Sequence, residues 1–252
     1  MKTADLKKLL DEKVKLYETP SFIFSDPISI PHRFSKKEDI EIAGFFAAII
    51  AWGNRTSILK SADKLMTMMN NSPYSFLMNA SASELESLQS FYYRTLNGTD
   101  TVAIAKAVKR IYSSEGGFEN LFAAETEGES LIKRMGRFRK TLVKDMPNRT
   151  LKHIADMEGG SAAKRINMFL RWMVRSSKNG VDFGLWKTVK SSELYLPLDV
   201  HCARTGRNLG LLTRKQNDRK AVEEITANLR LFCPEDPVKY DFALFAAEVD
   251  NK

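Results

Sequence analysis

Cysteine is scarce: Cys202 and Cys233 are the only two in the chain. Two thiolates are too few for the four-cysteine ligation usual in an iron–sulfur cluster, so reduced and buried side chains are expected. Histidine is sparse and scattered, at His32, His153 and His201, and no metal-ligand spacing emerges; neither metal nor cofactor is expected. No run approaches the roughly 20 apolar residues that span a bilayer. The start, MKTADLKKLLDEK, is amphipathic and charged, unlike a signal peptide, which makes the cytoplasm the expected location and a membrane an unexpected partner. A P-loop, a G-x-S-x-G elbow and a dinucleotide fingerprint are absent too, which removes three common enzyme classes.

What is present is the composition of an ordinary folded protein: 252 residues, 43% hydrophobic, 28% charged and 10% aromatic. That length buries a substantial core without disulfide or metal staples. No low-complexity tract, flexible linker or internal repeat interrupts it. The balance of 39 basic against 31 acidic residues leaves a net charge of +8, which favours polyanions such as nucleic acid as partners.

Helical periodicity dominates, and the fold class read from it is all-α, with ten or eleven helices on ordinary element lengths. Leu6, Leu9, Leu10, Val14 and Tyr17 form one stripe. A capping box of Ser35 and Glu38 announces DIEIAGFFAAIIAW, whose apolar residues surround the helix and place it centrally. Gly53 ends that helix, and Thr56 or Ser57 caps the next. Ser72-Pro73, the box of Ser81 and Glu84, and Asp100 mark further starts, while Gly116 and Gly117 punctuate before GGFENLF. YLPL alone hints at a strand. The stretch KRMGRFRK, with Lys133, Arg134, Arg137, Arg139 and Lys140, reads either as a solvated helix face or as a patch that neutralises phosphates.

The residues that carry chemistry fall between Leu151 and Leu212. In DMEGGSAAKRINMFLRWMVR, Gly159 and Gly160 form a turn, Ser161 is the expected N-cap, and backbone NH groups there suit a phosphate. Ile166, Phe169, Leu170, Met173 and Val174 make the buried stripe of the helix, and Lys164, Arg171 and Arg175 share the opposite face. Lys164 stands in the first turn beside Arg165, where the positive end of the helix dipole depresses an amine pKa and favours a nucleophile; an exposed lysine tolerating a small penalty is the plain alternative. In LYLPLDVHCARTGRNLGLL, Asp199 opens a helix carrying Arg204 and Arg207. Its carboxylate can cap the helix for roughly 1 kcal/mol, and it can also stabilise the cation that develops when a glycosidic bond breaks.

The glycine turn with an early lysine, followed by PLDVHCARTGRNLGL, resembles the helix-hairpin-helix DNA glycosylases of the endonuclease III and archaeal 8-oxoguanine glycosylase type. With AWGNR, RINMFLRWMVR and DPVKYDFALF, nearly the whole chain looks like a bacterial branch of that superfamily. Two departures stand out: MEGGSAAKR replaces the usual Leu-Pro-Gly-Val-Gly hairpin, and the terminal iron–sulfur cysteines are missing.

The resemblance implies two helical subdomains with a basic cleft between them. Residues 36–180 would form the central one; 1–35 and 181–252 would form the other, with both chain ends. It implies a monomer that flips a damaged base out of double-stranded, lesion-containing DNA. Asp199 would stabilise the oxocarbenium-like sugar and Lys164 would attack the anomeric carbon. Gly159, Gly160, Ser161, Arg165, Arg171, His201 and Arg204 would line the nucleic-acid surface. Asn54 or Arg55 would fill the gap left by the flipped base, with Trp52 stacking; for these, ordinary helix termination and packing is the alternative.

Overall fold

The computed structural model describes residues 3–249, and side chains over 3–245. The chain is mostly helical, and among the described residues there are twelve α-helices and no β-strand. By its contacts it divides into two compact units: the residues up to Phe24 together with those from Asp156 onward, and Ser25–Ala155.

The first unit opens with α1 (Thr3–Tyr17), which buries Leu6, Leu10 and Val14 and leaves Leu9 at the surface. The second unit contains α2 (Lys37–Ile50), α3 (Arg55–Met68), α4 (Pro73–Asn79), α5 (Ala82–Glu86), α6 (Gly98–Ser114), α7 (Phe118–Leu121) and α8 (Leu131–Val143). The chain then returns to the first unit with α9 (Lys164–Val174), α10 (Val200–Asn208), α11 (Arg219–Arg230) and α12 (Asp241–Val249).

Within the second unit α2 is the central helix, buried from Ile40 through Ile50 as its all-round apolar sequence requires. Phe45 meets Phe118 at 4.8 Å, and Phe118 meets Phe138 at 5.6 Å, so α2, α7 and α8 share one aromatic cluster. Each such ring contributes about 1.5–3 kcal/mol by leaving water. The capping box of Ser81 with Glu84 forms; α6 starts before Asp100, with Asn97 as its N-cap and Asp100 closing a second box as the third helical residue. The box expected from Ser35 and Glu38 does not form, because α2 begins at Lys37 with Lys36 as an uncapped N-cap. Asn54, not Thr56 or Ser57, caps α3.

The starts of α10 and α11 are capped by acids, Asp199 for α10 and Asp218 for α11. α12 packs on α1 and α10. Phe22 meets Phe242 edge-on at 5.0 Å. The YLPL segment is extended but pairs with no strand; the Leu196 N–H donates instead to Thr226 Oγ1 at 3.1 Å.

The unit boundaries fall after Phe24 and Ala155 rather than at 35 and 180. Two sets of contacts explain this. The 3₁₀ turns Pro27–Ser29 and Pro31–Arg33 pack on α2, which draws residues 25–35 into the second unit. Arg171 and Arg175 pair with Asp241, Asp236 and Glu18, which ties α9 to the chain ends.

The basic stretch of α8 is mostly internal. Arg134 is 1% exposed and donates to the Phe122 carbonyl at 3.1 Å. Arg137 holds Glu129 and the Ala123 carbonyl, and Arg139 donates to the Ile154 carbonyl at 3.1 Å. Lys133 and Lys140 face solvent, so the stretch presents far less free charge than its sequence carries.

Candidate active site

Lys164 and Asp199 stand at the starts of α9 and α10. Lys164 is the first residue of α9, preceded by Ala163 in the left-handed region at φ +46°. That conformation costs about 1–2 kcal/mol for a non-glycine residue, so the surrounding turn must enforce it. Gly160, at φ +106°, lets the chain reverse; the Ser161 N–H donates to the Asp156 carbonyl at 2.9 Å, and Ser161 Oγ accepts from the Ala163 N–H at 3.1 Å. The Arg219 N–H donates to the Gly160 carbonyl at 2.9 Å, which moors the turn to the start of α11. Ser161 therefore braces the turn and is not the N-cap of α9.

The same hydrogen bonds bear on the phosphate expectation. The Gly159 N–H donates to Asp156 Oδ1 at 2.8 Å, the Gly160 N–H to the Met157 carbonyl at 3.1 Å, and the Ser161 N–H to Asp156. The three amides of the turn are turned inward, toward the protein's own acceptors.

Asp199 caps α10 as its sequence position indicates: Oδ1 accepts the N–H groups of His201 at 2.9 Å and Cys202 at 2.8 Å. Its other oxygen, Oδ2, lies 3.2 Å from Lys164 Nζ. Burial by itself would raise the Asp199 carboxyl pKa. The Lys164 ammonium and the Cys202 hydrogen bonds outweigh it and hold the carboxyl below its ordinary value. Both side chains keep partial access to solvent, Lys164 at 35% and Asp199 at 20%.

A buried ionic network lies behind the pair. Arg171, 3% exposed, donates to Asp241 Oδ2 and lies 3.3 Å from Asp182 Oδ1. Arg175 pairs with Asp182, Glu18 and Asp236. Burial disfavours the Arg175 charge, and these three carboxylates reverse that and raise its pKa. Cys202 Sγ approaches Asp241 Oδ1 at 3.7 Å, and burial pushes both the Cys202 thiol and the Asp241 carboxyl upward. Both cysteines are free thiols and buried.

The remaining candidates separate. Arg171 shares a helix face with Lys164 and Arg175, as its spacing indicates, but that face points into the core, so Arg171 is an internal ion-pair residue and presents nothing to a polyanion. Arg165 is half-buried, and burial lowers its guanidinium pKa. His201 and Arg204 are exposed one turn apart on α10, with Arg204 Nη2 at 3.4 Å from His201 Nδ1. Val200, beside Asp199, is 70% exposed.

Asn54 and Arg55 belong to the second unit. Asn54 Oδ1 accepts the Ser57 N–H at 3.1 Å as the cap of α3, and Arg55 is half-buried at its first position. Trp52 is half-buried: the Arg94 guanidinium lies 4.5 Å over its ring, and the Tyr93 hydroxyl donates to its carbonyl at 2.6 Å.

Sequence reasoning did not single out Asp241 and Asp182, while Cys202 is a buried free thiol as its sequence reading expects. Nothing local in DPVKYDFALF marks Asp241 as buried. Among the described residues no cluster of His, Cys, Asp and Glu is arranged to hold a metal.

Fold and site together define an all-α protein with a lysine–aspartate pair joining two helix starts. Residues 26–250 match the family model described as "Protein of unknown function (DUF2400)", and the chain belongs to that family. No curated protein and no solved structure matches it. No helix among the described residues is long and apolar enough to cross a membrane.

Proposed function

We propose that this protein is a DNA base-excision glycosylase that removes a damaged base of the 8-oxoguanine type and carries AP-lyase activity through Lys164. The observation that carries the reading is the 3.2 Å approach of Lys164 Nζ to Asp199 Oδ2. These are the two residue types, a carboxylate and an amine, that such chemistry needs at one sugar. The net charge of +8 supports a polyanionic partner. His201 and Arg204, exposed on the first two turns of α10 after Asp199, are the side chains nearest in sequence that can meet phosphate.

The steps follow from that pairing. Cleavage of the N-glycosidic bond leaves its electron pair on the base nitrogen, which takes up a proton, and builds positive charge on C1′. The Asp199 carboxylate, already ionised and fixed by two backbone N–H groups, stabilises that charge without reorganising. Lys164 gives up a proton, with Asp199 Oδ2 as an acceptor in reach, and its lone pair attacks C1′. Loss of a second proton and opening of the sugar ring give a protonated Schiff base. Elimination then removes a proton from C2′ and expels the 3′ phosphate, and water releases Lys164. In this reading the protein acts in the cytoplasm, as a monomer, on double-stranded DNA with the damaged nucleotide flipped out.

A second reading is a nucleic-acid-binding protein without chemistry. It is favoured by one observation: both oxygens of Asp199 already have structural partners, two backbone N–H groups and Lys164. Base release from duplexes holding 8-oxoguanine, uracil or an oxidised pyrimidine separates the two. The glycosylase releases one of these bases and loses the activity with Asp199→Asn. A binding protein releases none, and its affinity for duplex holds or rises in that variant because a carboxylate near phosphates has been neutralised.

A further inference from the structure

We propose that Asp241 is a positioning residue, acting through Cys202 and Arg171 to hold Asp199 against Lys164; the inference rests on reading that pair as the reactive one. Four polar links close a ring through three helices. Lys164 and Arg171 project from the same face of α9, two turns apart. Arg171 Nη1 donates to Asp241 Oδ2 at the start of α12. The other Asp241 oxygen accepts from Cys202 Sγ at 3.7 Å. The Cys202 N–H donates to Asp199 Oδ1 at 2.8 Å, and Asp199 Oδ2 returns to Lys164 Nζ at 3.2 Å.

Each link limits a different freedom. The Asp241–Arg171 pair fixes α12 against α9, and the Phe242 ring, 4.6 Å from the Arg171 guanidinium, holds that guanidinium from a second side. The Cys202–Asp241 link fixes the first turn of α10 on α12. With both set, the distance between the α9 and α10 starts is determined, and the reactive pair spans that distance. Adhesion alone does not account for a carboxylate at this place, since apolar side chains of similar volume usually hold helices together as well as a buried ion pair. A polar ring instead prescribes one register. Lys164, Cys202 and Asp241 are the titratable groups that face Asp199 from α9, α10 and α12, and Arg171 and Asp182 complete the surroundings of Asp241.

The test uses the full-length protein and the variants Asp241→Asn, Cys202→Ala and Cys202→Ser. A shift of the reacting atoms by about 1 Å costs roughly 100-fold in rate, so Asp241→Asn is expected to slow single-turnover base release roughly 10- to 100-fold at unchanged duplex Kd. The cysteine pair decides the matter if Asp241→Asn fails to fold. In a buried apolar site packing alone favours Ala over Ser, whereas a hydroxyl can still donate to Asp241. The Asp199 carboxyl titration midpoint, followed by carbon-13 NMR without DNA, should stay near the wild-type value in Cys202→Ser and rise in Cys202→Ala as the Lys164 contact loosens. A midpoint in Cys202→Ala equal to wild type, or closer to it than in Cys202→Ser, overturns the proposal. Because this titration needs no substrate, it stands apart from the glycosylase reading, which fails instead if the wild-type protein releases no base.

Discussion

Lys164 Nζ and Asp199 Oδ2 lie 3.2 Å apart, and each residue stands at the first turn of its own helix. The arrangement places an ammonium where the helix dipole disfavours it and a carboxylate where the dipole favours it. The carboxylate compensates the ammonium, so the helix starts tolerate a lysine that neither would otherwise favour.

Capping and chemistry at Asp199 are separable. Asn caps a helix about as well as Asp, whereas Ala lacks the acceptor and costs roughly 0.5–2 kcal/mol. Chemical denaturation should therefore show Asp199→Asn losing the Lys164 ion pair but keeping the cap, and Asp199→Ala destabilised by about 1 kcal/mol more than Asp199→Asn. Base release should fall in both, by about 100- to 1,000-fold, the loss typical of one preorganised electrostatic group. Equal activity in Asp199→Asn and wild type would leave Asp199 as a helix cap alone.

The pH dependence of stability follows from the same group. The Asp199 carboxyl is held below its ordinary value in the folded chain, so the unfolded chain binds its proton first as pH falls. Its contribution is present in full above the unfolded value of about 3.9 and disappears as pH drops through the folded value. The acid limb of a denaturation series should accordingly lie at higher pH for Lys164→Gln, in which the Asp199 midpoint rises. An unmoved limb would show that Lys164 does not stabilise the carboxylate.

Arg171 and Arg204 should behave oppositely. Removing one partner of a buried ion pair costs about 3–5 kcal/mol, so Arg171→Ala should lower the denaturation midpoint sharply, leaving Asp241 without its cation while Asp182 keeps Arg175. Arg204 is exposed, and its change to Ala should move stability by no more than about 0.5 kcal/mol. If Arg204 meets phosphate, the salt dependence of duplex binding should weaken by about one charge. Loss of that salt dependence in Arg171→Ala, with stability retained, would place Arg171 at the surface after all.

Gly98 tests the packing of the second unit. A Cβ at this position would lie 1.9 Å from the Gln89 carbonyl oxygen, in backbone that has no rotamer to yield. Gly98→Ala should force α6 away from the Ser87–Ser90 turn and destabilise by about 3 kcal/mol, the upper range for overpacking. Gly160→Ala offers a contrast: nothing lies within 4 Å of the added carbon, so only the strain of φ +106° remains, about 1–3 kcal/mol.

Much of the fold was legible because its signals are local. The all-round apolar sequence of α2, the box at Ser81 and the Asp199 cap all depend on residues within a turn of each other. The lysine and aspartate of the candidate site were legible too, as residue types at helix starts. What could not be read locally is which charges are consumed by distant partners. Arg171 meets Asp241 across 70 residues and Arg175 meets Asp236 across 61, so their face looked solvated when it is buried. Arg134 and Arg139 were hidden in the same way by backbone carbonyls. Ser161 failed as a cap because Ala163, an ordinary residue, adopts the left-handed conformation that ends the turn, and propensity gives no warning of that.

The most direct measurement is borohydride trapping of the purified protein on duplexes holding an abasic site or 8-oxoguanine, with Lys164→Gln beside it. The account expects a covalent protein–DNA adduct with the wild type and none with the variant, because reduction captures a Schiff base and the amine that forms it in this account is that of Lys164. An adduct of equal yield in Lys164→Gln, or no adduct from a wild-type protein that binds the duplex, would contradict it.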